Sequence, residues 1–259
     1  MKTLLKPILA IIIFLLAQGF VSLSAKWIAP SMAPTLLAAS LIVSGLITIL
    51  ILRQMRMIRP STLHPWRISW RYVHLGVIAV FLGIFAADVL CSMFHLPDFM
   101  ESQFMSLAQN PLGILAIVFI GPITEEVVFR ESVLGYMLLH DIGRWKAIFF
   151  SALLFSLIHL NPVQIPFAFI TGILLGIVYA KSRSILLTSS IHILNNAMAV
   201  IEMNILGENH ADFDIVKILG GKLFALAFFA GCAMLCIIFT REFIHKYHRP
   251  AARHHRHRR

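Results

Sequence analysis

The sequence predicts an all-α, polytopic integral membrane protein with about eight transmembrane helices, in a single membrane domain that covers residues 1–259. Hydrophobic residues make up 59% of the chain and charged residues 13%, whereas about 25% of the residues of a soluble domain are charged. The mean hydropathy is +0.84. Most of the surface of such a protein must face something other than water, and a lipid bilayer is the partner that this composition favours.

Eight apolar stretches are long enough, or nearly long enough, to cross a hydrocarbon core, which takes roughly 20 helical residues. They are Leu4–Phe20, Pro34–Leu52, Tyr72–Phe94, Leu112–Leu139, Ala147–Leu160, Ile165–Ala180, Ile185–Met203 and Leu223–Thr240. The first stretch follows two lysines and precedes small residues, a pattern that also fits a secretory signal peptide. Because its apolar run is long for a signal peptide, we expect an uncleaved anchor.

The fifth and sixth stretches are predicted to form a tight helical hairpin, because both are short and only residues 161–164 separate them. Small residues recur every fourth position in the sixth stretch, at Ala168, Gly172, Gly176 and Ala180. On a helix these residues form one smooth face that allows close approach of a neighbouring backbone. The pattern therefore indicates helix packing rather than chemistry.

The positive charges predict the orientation of the chain in the membrane. With the N-terminus in the cytoplasm, the Lys and Arg residues between the stretches fall on the cytoplasmic side, apart from Lys26, Lys217 and Lys222. This bias predicts that both termini are cytoplasmic. The net charge of +10 is spread over these segments and a basic tail, residues 241–259. Membrane lipids with anionic headgroups are therefore the expected partner, and nucleic acid is not.

Four ionisable residues interrupt the fourth stretch: Glu125, Glu126, Arg130 and Glu131. Each would cost about 2.5–3.5 kcal/mol at the centre of a lipid-facing helix, so we expect them to face protein, water or the interface. Glu126 and Arg130 are four residues apart and are expected to pair, while Glu125 is rotated by about 100° and can point elsewhere. Glu131 is expected to reach the headgroups. Taken alone, the cluster fits a packing network that fixes helix register as well as it fits a reactive site.

Two further polar positions favour a reactive site. His159 ends the fifth stretch, and His192 and Asn196 lie one turn apart in the seventh. With Glu125 they allow two routes to hydrolysis by an activated water. Glu125, His159 and His192 can bind zinc and leave a water position open, or Glu125 can take a proton from water while His and Asn donors stabilise an oxyanion.

The depths of the two histidines in the membrane do not match if all helices are straight. At a rise of 1.5 Å per residue, His192 lies about 10 Å from the cytoplasmic start of its stretch and His159 nearer 20 Å from that side. A bent or displaced helix would bring them level. We expect irregular backbone at Gly121-Pro122 or at Asn161-Pro162, because proline disturbs helical hydrogen bonding.

Three motifs occur in order on successive polar-bearing stretches: Glu125-Glu126-xxx-Arg130, Phe155-xxx-His159 and His192-xxx-Asn196. Over roughly residues 110–203, the motif-bearing core, they resemble the three motifs of the CPBP family. That family groups CAAX proteases with bacteriocin-processing enzymes and includes the type II CAAX prenyl endopeptidases. The resemblance implies an intramembrane endopeptidase, a hydrolase that is glutamate-dependent or a metalloprotease, acting on a peptide or protein substrate.

The resemblance also implies a role for each motif residue. Glu125 would be the general base that activates water, and His159 would orient that water or bind a metal. His192 and Asn196 would stabilise the oxyanion or complete a metal site that holds zinc. The Glu126–Arg130 pair would support the site structurally.

Two other classes of protein remain as alternatives. One is a membrane immunity or scaffold protein that keeps the polar network without chemistry. The other is a proton-coupled transporter that uses Glu125, His159 and His192 as a relay, although the internal repeat common in transporters is absent from the sequence. Asp88 in the third stretch matches none of the three motifs, and we assign it a structural or interface role.

Overall fold

The computed structural model describes residues 5–28, 33–63, 68–94, 96–207 and 214–248, and every regular element in these ranges is a helix. We number ten helices along them: α1 (Leu5–Ile28), α2 (Ala33–Gln54), α3 (Trp70–Ser92), α4 (Glu101–Ala108), α5 (Pro111–Leu139), α6 (Arg144–Leu157), α7 (Gln164–Ser182), α8 (Ile185–Leu206), α9 (Ile215–Ile218) and α10 (Lys222–Lys246). A short 3₁₀ helix, Pro60–Leu63, lies between α2 and α3. Residues 249–259, the end of the predicted basic tail, lie outside the described residues.

Six helices of the described part of the chain are long and apolar enough to cross a membrane, namely α2, α3, α5, α7, α8 and α10. The all-α membrane class is therefore confirmed, but the prediction of eight spans is wrong. Helix α6 has only 14 residues, which at 1.5 Å per residue extend about 21 Å, less than the roughly 30 Å of a hydrocarbon core. The apolar part of α1, Leu5–Gly19, is also shorter than a span and is not one of the six.

Helices α6 and α7 form the predicted hairpin. A Cβ atom on Gly172 would lie 3.0 Å from Cβ of Ala152, and one on Gly176 would lie 3.1 Å from Cγ2 of Ile148. The later glycine of α7 meets the earlier residue of α6, so the two helices are antiparallel. The small-residue face therefore packs helix against helix, as the spacing predicts.

Helix α5 lies at the centre of the bundle, where it contacts α1, α2, α6, α7 and α8. All ten residues from Glu126 to Gly135 are buried. Phe129 in this segment packs edge-on against Phe14 of α1 and Phe155 of α6, with ring centroids 6.1 and 5.4 Å away. The charged residues of this segment, Glu126, Arg130 and Glu131, thus face the core of the protein.

The backbone of α5 is irregular on both sides of Pro122. Two segments, Leu115–Ile120 and Glu126–Gly135, are π-helical and flank an α-helical turn, Gly121–Glu125. In the first segment Gly121 N–H bonds to the carbonyl of Ala116, five residues back. The next carbonyl, that of Ile117, would need the N–H of residue 122, which a proline lacks. The irregular backbone expected at Gly121-Pro122 is therefore present, and π-helical turns of this kind are frequent at functional sites.

Candidate active site

Glu126 and Arg130 form the predicted ion pair inside the protein. Arg130 Nε lies 3.2 Å from Glu126 Oε2, and both side chains are 0% exposed. The guanidinium carbon of Arg130 also lies 4.7 Å from the centroid of the Phe155 ring. A single buried charge would be strongly destabilising, so each of these two charges requires the other.

His192 lies between two carboxylates. Its Nδ1 is 3.2 Å from Glu126 Oε1 and its Nε2 is 3.7 Å from Glu125 Oε2. Because Glu126 is paired with Arg130 and accepts, Nδ1 must carry the hydrogen that it donates. This hydrogen bond fixes the tautomer, so that Nε2 faces Glu125.

Glu125 and Glu126 therefore approach the same imidazole from opposite sides, whereas the sequence predicts side chains that diverge by about 100°. The two residues stand where the helix changes, since Glu125 ends the α-helical turn and Glu126 begins the second π-helical segment. Glu126 is fully buried, while the Glu125 side chain is 20% exposed. The two neighbouring carboxylates thus differ in two ways. Glu126 is paired with Arg130 and closed to water, whereas Glu125 is partly open to water.

His159 lies just beyond the end of α6, in the turn that leads to α7. Its Nδ1 donates to the carbonyl oxygen of Phe155 at 2.9 Å, which leaves Nε2 as an acceptor. The ring of Phe155 lies edge-on to both imidazoles, with centroids 5.0 Å from His159 and 5.9 Å from His192. Phe155 thus contacts both imidazoles, one just beyond α6 and the other in α8.

Asn196 connects α8 to the irregular part of α5. Its Nδ2 donates to the carbonyl oxygen of Ile117 at 2.8 Å, the carbonyl that Pro122 cannot serve. Its Oδ1 accepts from Asn195 Nδ2 at 3.2 Å. Asn196 therefore stabilises the π-helical backbone, and one of its two amide hydrogens remains for another acceptor.

Glu125, His159 and His192, which are predicted to bind zinc, are not grouped as a metal site. Across the described ranges of the chain, no group of three or more His, Cys, Asp and Glu side chains is placed to hold a metal ion. A structural zinc takes four ligands and a catalytic zinc three. Zinc ligation stays a prediction.

Glu131 does not reach the headgroups as predicted, because it is buried and fully engaged. Its Oε1 accepts from Arg59 N at 3.0 Å and from Arg59 Nε at 2.6 Å, and its Oε2 accepts from Arg59 Nη2 at 3.1 Å. The hydroxyl of Tyr179 donates to the same Oε2 and accepts from Arg59 Nη2. We call this group, Arg59, Glu131 and Tyr179, the α5 anchor, because it ties the loop after α2 and helix α7 to α5.

Arg59 of the α5 anchor lies outside the membrane-spanning helices. Burial opposes its charged form, but the hydrogen bond to Glu131 and the charges of its two partners outweigh burial and raise the pKa of Arg59. The guanidinium therefore stays charged, and the bidentate geometry is of the strong, charge-assisted kind.

Sequence reasoning missed Phe155 as a contact between the two histidines, and it missed the Arg59 and Tyr179 partners of Glu131. The sequence of α5 held one signal for such a partner. A buried Glu131 requires a cation, and Arg130 is already paired with Glu126. Arg59 is 72 residues away in sequence and Tyr179 is 48 residues away. Spacing along one helix cannot reveal partners of that kind.

The fold and the site define a polytopic membrane protein in which two carboxylates meet one imidazole inside a helical bundle. Residues 107–198 match the family model described as type II CAAX prenyl endopeptidase Rce1-like, a CPBP family domain. This segment contains all three motifs, and the resemblance found in the sequence is confirmed over these residues. Searches of curated proteins and of solved structures give no match to the chain.

Proposed function

We propose that this protein is an intramembrane endopeptidase that hydrolyses a peptide bond with a water molecule activated by Glu125. The observation that carries the proposal is the placement of His192 between Glu125 and Glu126, within a segment of the prenyl endopeptidase family. Ionisable groups inside a membrane protein mark functional sites by default, because they are costly to place there.

Glu125, rather than Glu126, is suited to act as the base. Glu126 is fully buried and already neutralised by Arg130, so it can neither meet water nor take a proton without leaving Arg130 unpaired. Glu125 is partly exposed, and its 3.7 Å distance to His192 Nε2 is longer than a direct hydrogen bond. A carboxylate in that state can accept a proton from a water molecule.

The proposed reaction needs no covalent intermediate with the protein. A carboxylate oxygen of Glu125 takes one proton from water while His159 Nε2 accepts a hydrogen bond from the other O–H. The water oxygen attacks the scissile carbonyl carbon, and the carbonyl electron pair moves to oxygen to form a tetrahedral oxyanion. The proton is held between Glu125 and His192 Nε2.

Collapse of the oxyanion completes the reaction. The second amide hydrogen of Asn196 donates to the oxyanion while it exists. The electron pair then returns to re-form the carbonyl, the C–N bond breaks, and the proton moves from Glu125 to the leaving amine. Products are a carboxylic acid and an amine, and Glu125 is again a carboxylate.

The substrate class and the orientation are part of the proposal. The matching family is described as a CAAX prenyl endopeptidase, and prenylated CAAX proteins carry a lipid on a cysteine near the C-terminus. A farnesylated CAAX peptide is therefore the first probe to test. The distribution of Lys and Arg between the eight predicted stretches is what supports cytoplasmic termini, on the side where such substrates are found.

The test is cleavage of a farnesylated CAAX peptide by purified protein in liposomes. We expect Glu125→Gln to lower the rate by about 100-fold or more, the contribution typical of general acid–base catalysis. His159→Ala and His192→Ala should each abolish cleavage. Glu202→Gln, at an exposed position of α8, is the matched control and should retain activity. A folded Glu125→Gln protein with full activity would overturn the assignment of the base.

A further inference from the structure

The turn between α6 and α7 carries His159 but is weakly held by its own backbone. Its hydrogen bonds are long, 3.3 Å from His159 N to Ser156 O and 3.4 Å from Leu160 N to Leu157 O. Leu160 has a left-handed φ of 51° and a side chain that is 76% exposed. A non-glycine residue keeps such a conformation only where its surroundings enforce it.

Asn161, directly after Leu160, supplies this constraint. It is 0% exposed, and both ends of its amide are used: Nδ2 donates to Asp98 Oδ1 at 2.8 Å, and Oδ1 accepts from Phe99 N at 3.1 Å. Its own carbonyl accepts from Gln164 N and Ile165 N, both at 3.0 Å, at the start of α7. Asn161 therefore joins the turn to α7 and to the segment between α3 and α4.

Asp98 is itself fixed, because its Oδ1 also accepts from Met100 N at 2.9 Å. It lies 63 residues before Asn161 in sequence, so the contact links two separate parts of the bundle. Backbone that leaves helical geometry at membrane depth is tolerated only where other groups satisfy it. The pair satisfies the backbone N–H groups of Phe99 and Met100 and attaches their segment to the turn that holds His159.

We propose that Asp98 and Asn161 are positioning residues for His159, and that their hydrogen bond sets the rate of the chemical step without contacting the substrate. This inference rests on the proposed function. His159 is two residues from Asn161, and its Nδ1 is already bonded to the carbonyl of Phe155. The position of His159 Nε2 then depends on the conformation of the turn between α6 and α7.

Reciprocal exchange of the two side chains tests the proposal. Asp98→Asn keeps an acceptor oxygen for Asn161 and should lower kcat only slightly. Asn161→Asp places two carboxylates against each other, which breaks the contact, and should lower kcat by about 100-fold, the effect expected of a misplacement near 1 Å, with little change in KM. The double variant Asp98→Asn/Asn161→Asp restores one amide facing one carboxylate and should recover most of the lost kcat.

Asn204→Asp is the matched control for an asparagine that ties helices together elsewhere. Asn204 Nδ2 donates to the carbonyl of Ala108 at 3.1 Å and so joins α8 to α4. Ala108 is the last residue of α4, so this bond lies at the opposite end of α4 from the Asp98–Asn161 contact. Its loss should lower stability without a selective fall in kcat. An equal fall in kcat for Asn204→Asp and Asn161→Asp, or no recovery in the double variant, would overturn the proposal.

A second measurement keeps the positioning proposal separate from the proteolytic function. Modification of His159 by diethyl pyrocarbonate, followed by mass spectrometry, reports the environment of its ring whether or not the protein cleaves peptides. We expect a changed rate in Asn161→Asp and a return toward the wild-type rate in the double variant. Identical His159 rates in all variants would refute positioning, whereas an inactive wild-type protein with the expected modification pattern would refute only the proteolytic function.

Discussion

Replacement of Glu131 by glutamine should unfold the protein more easily, although the change removes only a charge and one oxygen. The carboxylate accepts three hydrogen bonds from Arg59 and one from the hydroxyl of Tyr179. A glutamine amide would direct its own N–H groups at these donors. Because Glu131 and Tyr179 are buried, water cannot replace the lost bonds.

The expected size follows from the burial of the partners. Breaking a fully buried ion pair typically costs about 3–5 kcal/mol, but the Arg59 side chain is 30% exposed and can recover part of its hydration. Leaving a buried donor unsatisfied costs about 1–3 kcal/mol. We therefore expect Glu131→Gln to lower the free energy of unfolding by about 2–3 kcal/mol.

Unfolding in mixed micelles with increasing SDS, followed by circular dichroism, measures this quantity. Glu242→Gln is the matched control, because Glu242 is paired with Lys246 on an exposed part of α10, and it should leave unfolding unchanged. If Glu131 instead reached the headgroups, as the sequence alone suggests, Glu131→Gln would also behave like wild type. That result would refute the α5 anchor.

Three further changes test contacts around the same helix. Gly135→Ala would place a Cβ atom 2.7 Å from both Arg59 Nη2 and the Tyr179 hydroxyl, so we expect a loss of about 1–3 kcal/mol in the same unfolding assay; an unchanged midpoint would contradict the contact. The pKa of Arg59 is raised, so its stabilisation is complete below the unfolded-state pKa and is lost only far above neutral pH. The difference in unfolding free energy between wild type and Arg59→Gln should thus be the same at roughly pH 6 and pH 9, and a difference that shrinks toward pH 9 would contradict this. Phe155→Leu removes the ring that contacts both histidines and should lower kcat by about 10-fold or more, whereas Phe150→Leu, at an exposed position of α6, should leave kcat unchanged.

Composition and periodicity were sufficient to predict the membrane class and most helices, because both depend on local apolar content. They failed on the number of spans. Ala147–Leu160 is apolar enough, but α6 ends at Leu157, too short to cross a bilayer alone. One face of α6 packs against α5 and α7 while Phe149 and Phe150 stay exposed, and sequence patterns do not fix where such a helix ends.

In the candidate site, too, the local contacts could be predicted from the sequence and the others could not. The Glu126–Arg130 pair follows from a spacing of four residues on one helix, and the structure has it. The approach of Glu125 and Glu126 to the two nitrogens of His192 depends on a π-helical segment that begins at Glu126, which the regular angle of 100° per residue does not anticipate. The Asp98–Asn161 contact spans 63 residues and was equally inaccessible, although Asn161-Pro162 was recognisable as a break in the helix.

The most direct test of the central claim compares new peptide N-termini in membranes from cells that express wild-type protein or Glu125→Gln at equal levels. We expect termini that appear only with wild type, which would establish peptide-bond hydrolysis and identify its substrates. Identical sets of termini, with both proteins folded and inserted, would contradict proteolysis and favour an immunity or scaffold protein that keeps the polar cluster without using it for chemistry.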